Sequence, residues 1–249
     1  MTQTTTHQPK YRRPLNDKQT LLLKLIYKFR FITVDHIQTA QKQKDQSTVN
    51  GRLKVLRDQC YIDRHYDSSY KLQGKHAVYF ITTKGINLLK TLEGLQERTL
   101  RNMSRDKSAR ESFVGHSLNI FDLYNLVRQN YPDTFNFYTT NELAKDEQYP
   151  ELLPDAYLEA KNDDHSNYFL ESFDVTVPLF LMKQKIRGYT KHYLENGWDE
   201  YPGVILIVEN PNALKTIKKY VAKVLDASGL DVQFSVIPKD DVAIAYSSF

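Results

Sequence analysis

The chain has 249 residues, of which 41% are apolar and 12% aromatic, and this composition is typical of globular domains with their own cores. A single cysteine excludes an internal disulfide and a cysteine-based zinc site, and no apolar run approaches the ~20 residues of a membrane-spanning helix. The net charge of +4 combines a basic half, residues 1–110 with 22 Lys+Arg against 9 Asp+Glu, and an acidic half, residues 111–249 with 12 against 21. We therefore expect a soluble, cytoplasmic protein without a membrane partner, whose +13 half suits a polyanion such as DNA.

The basic half predicts the order helix, helix, helix, β-hairpin, helix. Asn16 is a suitable N-cap for a helix over 17–30, and Thr33 for a second helix over 34–41. A third helix follows over 46–59. Two strands, over 61–64 and 77–81, form the hairpin, and a fourth helix covers 83–92. This order is that of a winged helix-turn-helix, in which the third helix enters the major groove of DNA and the hairpin contacts the backbone.

The outer face of the third helix predicts contact with DNA bases. It carries hydrogen-bonding groups where an ordinary solvated face has a Glu/Lys mixture, and these are Gln46, Ser47, Asn50, Lys54 and Arg57. The hairpin tip is basic and presents Lys71, Lys75 and His76. Because base edges are read by hydrogen bonds and phosphates by cations, we predict groove contact for the first set and backbone contact for the second. A winged helix that contacts only protein is the alternative.

The whole chain is predicted to form four segments. They are a disordered basic arm, a winged helix-turn-helix domain, a basic helical linker and an α/β domain, over 1–14, 15–93, 94–111 and 112–249. The last segment predicts the order α-β-β-β-α-β-α-β around a central mixed sheet. Its strands cover 135–138, 154–158, 168–174, 204–208 and 232–237, and its helices cover 112–129, 179–195 and 213–225, the last capped by Asn212.

Two carboxylates stand out in the acidic half. Asp155 follows a proline at the start of one strand, and Glu171 lies within the next strand, across a hairpin. This pattern resembles the PD-(D/E)xK motif of the restriction-endonuclease-like fold, whose carboxylates hold Mg²⁺ and whose lysine, two residues later, assists water attack. Residues two apart on a strand share a face, so the lysine belongs at position 173, where this chain has Phe173. Lys183 and Lys185, early in the next helix, are alternative sources of the amine.

Since a phenylalanine neither ligates a metal nor carries charge, we expect this domain to lack nuclease turnover and a cofactor. One alternative is a metal-dependent DNA nuclease, with Asp155 and Glu171 as metal ligands for Mg²⁺ and Lys185 completing the catalytic set. Another is a winged-helix transcriptional regulator, whose second domain binds a protein partner or dimerises.

Several short motifs follow one another along the chain. They are Gly115-His116-Ser117, Pro154-Asp155-Ala156, Phe169-Leu170-Glu171 with Asp174, Lys185-Ile186-Arg187-Gly188-Tyr189 and Tyr201-Pro202. With the winged helix and the basic linker, they make residues 15–225 similar to the replication-relaxation family. The resemblance implies a double-stranded DNA-binding protein of a plasmid or mobile element, acting in DNA replication, relaxation, transfer or their regulation.

Overall fold

The chain divides into two compact units, residues 1–121 and 122–249. The computed structural model describes residues 14–67, 69–143, 148–162, 165–196, 198 and 200–242. The predicted basic arm, except its last residue, therefore lies outside the described residues. Within the described stretches, no helix has both the length and the apolar character needed to cross a bilayer.

The first unit combines helices with one small sheet. Its elements are α1 Asp17–Phe29, α2 Val34–Ala40, α3 Gln46–Asp58, β1 Ile62–His65, α4 Ser69–Leu72, β2 Val78–Ile81, α5 Thr83–Leu89 and α6 Glu97–Met103. β1 and β2 pair antiparallel, with Ile62 opposite Ile81. The helices and strands lie in the predicted order, except that the four-residue helix α4 occupies part of the connection that was predicted to be a turn.

Capping residues and apolar stripes explain these helices. Asn16 accepts a hydrogen bond from the Gln19 amide at 3.0 Å, and the Gln19 side chain accepts one from the Asn16 amide, which forms a capping box. Thr33 caps α2, as predicted. The stripes of α1 and α3 bury the residues that form much of the core of this unit, namely Leu22, Leu23, Ile26, Val49, Leu53 and Leu56.

Residues 97–108, within the segment predicted to be a linker, pack as part of the first unit. Leu100 and Met103 of α6 are buried. Arg30 holds the buried carboxylate of Asp106 with two hydrogen bonds, one of 2.9 Å from Nε to Oδ2 and one from Nη2 to Oδ1. Burial raises the pKa of the Asp106 carboxyl, and Arg30 opposes this rise. The ion pair ties this segment to the end of α1.

The second unit is built around a mixed five-stranded sheet. Helix α7, Glu111–Asn130, crosses the division of the chain after residue 121. The elements that follow it are β3 Phe135–Thr139, β4 Ala156–Ala160, β5 Tyr168–Phe173, α8 Leu179–Glu195, β6 Gly203–Val208, α9 Pro211–Ser228 and β7 Phe234–Pro238. The strand order is β3-β4-β5-β6-β7, with β3, β4 and β5 antiparallel and β5, β6 and β7 parallel. The predicted α/β class, element order and mixed sheet are therefore confirmed.

The two central strands position the interior of this unit. Every residue of β5 and β6 is buried, as the continuous apolar run of β6 predicts for a strand covered on both faces. The cap of α9 differs from the prediction. The N-cap is Asn210 and not Asn212, because the helix begins at Pro211, which has no amide hydrogen. The Asn210 side chain accepts hydrogen bonds from the backbone amides of Asn212 at 2.9 Å and Ala213 at 3.2 Å.

Candidate nucleic-acid interface and buried carboxylate site

The outer face of α3 presents polar side chains opposite the buried stripe. Asn50 and Lys54 are exposed and lie one helical turn apart. Neither side chain makes a hydrogen bond or ion pair with another described residue. Ser47 is also exposed, and its hydroxyl and amide both donate to the carboxylate of Asp45, which caps the helix. These hydrogen bonds hold the pKa of Asp45 below its ordinary value.

Asp35 of α2 brings together two of the predicted DNA-binding residues. The Gln46 amide nitrogen donates to Asp35 Oδ1 at 2.6 Å, and His76 Nε2 lies 2.9 Å from Asp35 Oδ2. One carboxylate thus joins the first turn of α3 to the hairpin just before β2. Arg57, near the other end of α3, is half-buried.

The hairpin connection carries cations beside aromatic rings. Lys75 is exposed, with its amine 5.9 Å from the centre of the Tyr70 ring, whereas the side chain of Lys71 lies outside the described residues. Arg64 of β1 and Tyr66, which follows that strand, were not among the residues predicted to contact DNA. The Arg64 guanidinium lies 4.5 Å from the centre of the Tyr66 ring, which is 45% exposed. Their spacing of two residues could have indicated this contact, because residues two apart in an extended chain place their side chains on the same face.

In the second unit, the side chains of four residues converge at one end of the sheet. Asp155 immediately precedes β4, and its Oδ2 accepts a hydrogen bond from the backbone amide of Ser172 at 2.8 Å. Glu171 lies inside β5, and its Oε1 accepts from Lys185 Nζ at 2.9 Å and from the Tyr189 hydroxyl at 2.6 Å. Lys185 and Tyr189 are four residues apart in α8, so one helical face supplies both donors.

The geometry distinguishes between the two lysines that the sequence offered. Lys185 reaches the carboxylate, and its amine also donates to the Leu153 carbonyl at 2.6 Å. Lys183 points elsewhere, with its amine 5.1 Å from the centre of the Tyr220 ring of α9. Phe173 is 3% exposed and belongs to the apolar core. The amine beside Glu171 therefore comes from the helix, and the strand position two residues later serves packing.

Burial controls the protonation of this cluster. Glu171 is 1% exposed, and burial raises its pKa to about 7, although the Lys185 ammonium opposes the rise. Burial acts to lower the pKa of Lys185, but the carboxylates of Glu171 and Asp155 outweigh it and the pKa is raised. Burial, followed by the charge of Glu171, raises the pKa of Tyr189 well above its ordinary value. Near neutral pH, Lys185 is thus a cation, Tyr189 a neutral donor and Glu171 a group that exchanges a proton.

The carboxylate oxygens have the chemistry that Mg²⁺ prefers, and a protein site for this ion commonly supplies only one or two carboxylates. Asp155 and Glu171 are the residues of the second unit that would hold it. The described part of the chain contains no cluster of three or more His, Cys, Asp or Glu residues suited to a metal. Asp174, which belongs to the predicted motif, accepts hydrogen bonds from the amide and hydroxyl of Thr176 in the turn before α8.

A cleft of about 810 Å³ runs beside α8. Its lining residues are Tyr149, Glu151, Leu152, Gln184, Arg187, Gly188, Lys191, His192, Glu195 and Asn196. Leu152 adjoins Leu153, whose carbonyl holds Lys185. The segment that accepts a hydrogen bond from the Lys185 amine therefore also forms part of the wall of this cleft.

Comparison with known protein families gives one match. The family model described as replication-relaxation matches residues 23–207, which is 185 of the 249 residues. The match includes α3, the hairpin, Asp155, Glu171 and Lys185. No curated protein matches the chain.

Proposed function

We propose, from the premise that the chain belongs to the replication-relaxation family, that it binds double-stranded DNA in the replication, relaxation or transfer of plasmid or other mobile-element DNA. Family membership supports the replication-related role. The order of three helices, hairpin and helix in the first unit supports a winged helix-turn-helix with α3 as the recognition helix. The observation that carries DNA binding is the outer face of α3, where Asn50 and Lys54 are exposed opposite a fully buried stripe.

The chemistry of this face suits a DNA groove. An asparagine amide pairs with the edge of adenine through two hydrogen bonds, and a lysine amine donates to guanine or to phosphate. Asp35 accepts a hydrogen bond from the Gln46 side chain and lies 2.9 Å from His76 Nε2, so the start of α3 and the end of the hairpin connection lie side by side. The +13 charge of residues 1–110 adds the sequence-independent attraction of counterion release.

The first prediction concerns the variant Asn50→Ala/Lys54→Ala. A randomised duplex library would first be selected on the wild-type protein to define its preferred sequence. We then expect the variant to bind that sequence about 1–3 kcal/mol more weakly for each base-reading side chain removed, measured by fluorescence anisotropy. Lys24→Ala, which removes one exposed cation from α1, is the matched control and should retain the preference. An unchanged sequence preference in the double variant would refute the role of α3.

Metal-dependent DNA cleavage is a second candidate function, favoured by the 2.9 Å contact between Lys185 and Glu171. The helix supplies the cation that position 173 lacks, and Asp155 and Glu171 would hold Mg²⁺, which activates water when bound. Two observations support a protein without turnover. Glu171 is 1% exposed, and its Oε1 already accepts hydrogen bonds from both Lys185 and Tyr189, so a metal bound at this oxygen would have to displace these contacts.

The second prediction is therefore that the protein does not cleave DNA with Mg²⁺ or Mn²⁺. Supercoiled plasmid and linear duplex would be incubated with each ion and analysed on gels. The controls are Asp155→Asn, which neutralises one carboxylate, and Lys185→Met, which removes the amine. Cleavage by the wild type that both variants abolish would establish the nuclease and replace the expectation of an inactive domain.

A further inference from the structure

The acidic half of the chain contains a concentrated basic surface, which lies wholly within the second unit. Residues 111–249 include twelve Lys and Arg, eight of which lie on the adjoining helices α8 and α9, and six of these eight form one surface. We call this set the α8–α9 basic face, and its members are Lys183, Arg187, Lys215, Lys218, Lys219 and Lys223.

Helix α9 presents its lysines on the side away from the core. Ile217 and Val221 are buried against the sheet, whereas Lys215, Lys218, Lys219 and Lys223 are all at the surface. At 100° per residue, the four lysines fall within an arc of about 140°. The sequence from Pro211 to Leu225 contains no acidic residue, and Asp226 is the first one to follow.

Helix α8 extends this surface through Tyr220. The Lys183 amine lies 5.1 Å from the centre of the Tyr220 ring, and Arg187 Nη1 lies 3.5 Å from the Tyr220 hydroxyl. Tyr220 follows Lys219 directly and lies almost one turn before Lys223 on α9. The cations of the two helices are therefore neighbours and form one continuous surface.

The α9 cations differ from other lysines of the same unit in their surroundings. Lys161 lies 3.8 Å from an Asp133 oxygen, and Lys239 lies 3.2 Å from a Glu209 oxygen. By contrast, no described carboxylate lies within ion-pair distance of the four α9 amines. Although residues 111–249 carry 21 acidic side chains, the α8–α9 basic face retains its positive charge.

We propose that the α8–α9 basic face binds the phosphate backbone of duplex DNA independently of sequence. The choice of DNA as the polyanion rests on the proposed function. An array of cations with no acidic neighbour among the described residues gains affinity from released counterions when phosphates neutralise it. A membrane-surface helix would place its apolar face in the lipid, but the apolar residues of α9 are packed in the core. DNA therefore contacts both units of the chain.

The test uses the full-length protein and two variants of equal net charge. Lys215→Gln/Lys219→Gln removes two central cations of the face, and Lys161→Gln/Lys239→Gln removes two paired cations elsewhere in the same unit. Binding to a duplex of arbitrary sequence would be followed by anisotropy at several salt concentrations. We expect the slope of log affinity against log salt to fall by about 0.9 for each phosphate that is no longer neutralised, so by up to about 1.8 in the first variant only.

The rescue variant Lys215→Arg/Lys219→Arg keeps the charge and should keep the wild-type slope, which separates charge from any effect on folding. Equal slopes in the two glutamine variants would overturn the proposal. The α3 variant Asn50→Ala/Lys54→Ala separates it from the proposed function. If that variant keeps its sequence preference while the face variant has a reduced slope, the winged-helix assignment fails and the basic face stands. A wild-type protein that does not bind duplex DNA at all would refute both.

Discussion

At the residue scale, the buried carboxylate of Glu171 depends on Lys185 for its charge balance. The folded-state pKa of about 7 lies above the ordinary value of 4.5, so Glu171 is protonated at pH 5 and charged at pH 8.5. Its contribution to stability is full below about pH 4.5 and is lost as the pH rises through 7. Removing the ammonium 2.9 Å away therefore harms the folded state mainly at high pH, where the carboxylate is charged.

The prediction is that Lys185→Met lowers the free energy of unfolding by about 3–5 kcal/mol at pH 8.5, the usual cost of breaking a buried ion pair, and by much less at pH 5. Urea denaturation at the two pH values measures this. Lys191→Met is the matched control, because Lys191 is exposed on the same helix and its amine lies 3.8 Å from a Glu195 oxygen that is itself exposed. It should change stability by less than about 0.5 kcal/mol at both pH values. If Lys185→Met lowers the free energy of unfolding equally at both pH values, the loss arises from packing and not from the charge of Lys185.

The residues of this cluster were unequally predictable. Asp155 and Glu171 could be selected because a strand alternates its faces and a hairpin brings neighbours together. The choice between Lys183 and Lys185 required the register of α8 against the sheet. The buried positions Met182, Ile186 and Tyr189 give that register, since Lys185 lies beside this stripe and Lys183 lies off it. The hydrogen bond from Tyr189 to Glu171 could not be predicted, because the sequence shows only that Tyr189 lies four residues after Lys185 on the same helix.

At the element scale, α5 packs closely against the residue that precedes β1, because Gly85 has no side chain. A Cβ at this position would lie 2.3 Å from the Tyr61 carbonyl oxygen and 2.6 Å from Ile81 Cγ2. We expect Gly85→Ala to destabilise the protein by about 1–3 kcal/mol, even though alanine favours a helix, because backbone atoms must move. Thermal or urea unfolding measures the change.

Gly188→Ala provides the comparison for Gly85→Ala. Gly188 lies inside α8, and beyond its two neighbours and the adjoining helix backbone no described atom lies within 4 Å of the place that an alanine methyl group would occupy. Alanine should therefore be neutral there or stabilise the protein by up to about 1 kcal/mol. If the two alanine variants unfold alike, close packing at Gly85 does not constrain α5.

Elements with a long apolar pattern or a capping residue were the predictable ones. The bounds of α8 were predicted to the residue, and those of α1 and α3 to within one residue. Helix α4 was missed because four residues are too few to show a periodic stripe. The strand expected to begin at residue 154 begins instead at Ala156, since Pro154 has no amide hydrogen to donate to a neighbouring strand.

At the scale of the whole molecule, sums of charge conceal how charge is arranged. The net +4 conceals halves of +13 and −9, and the −9 half conceals the α8–α9 basic face. The first division is readable from the sequence, because it only needs counting. The second is not, since it depends on which side of α9 is buried and on how α8 lies against Tyr220. A count over a segment therefore describes the charge of its surfaces less well than the positions of the charged residues on each helix do.

The α8–α9 basic face has a consequence for the charges that remain around it. Without its six cations, residues 111–249 carry six Lys and Arg against 21 Asp and Glu, a net charge of −15. Like charges repel within about 8 Å, the screening length at physiological salt, so this acidic remainder would oppose the approach of the proposed DNA ligand by another route. Under the proposal that this face binds DNA, repulsion and attraction in one small domain would act together to select the orientation in which a duplex can bind.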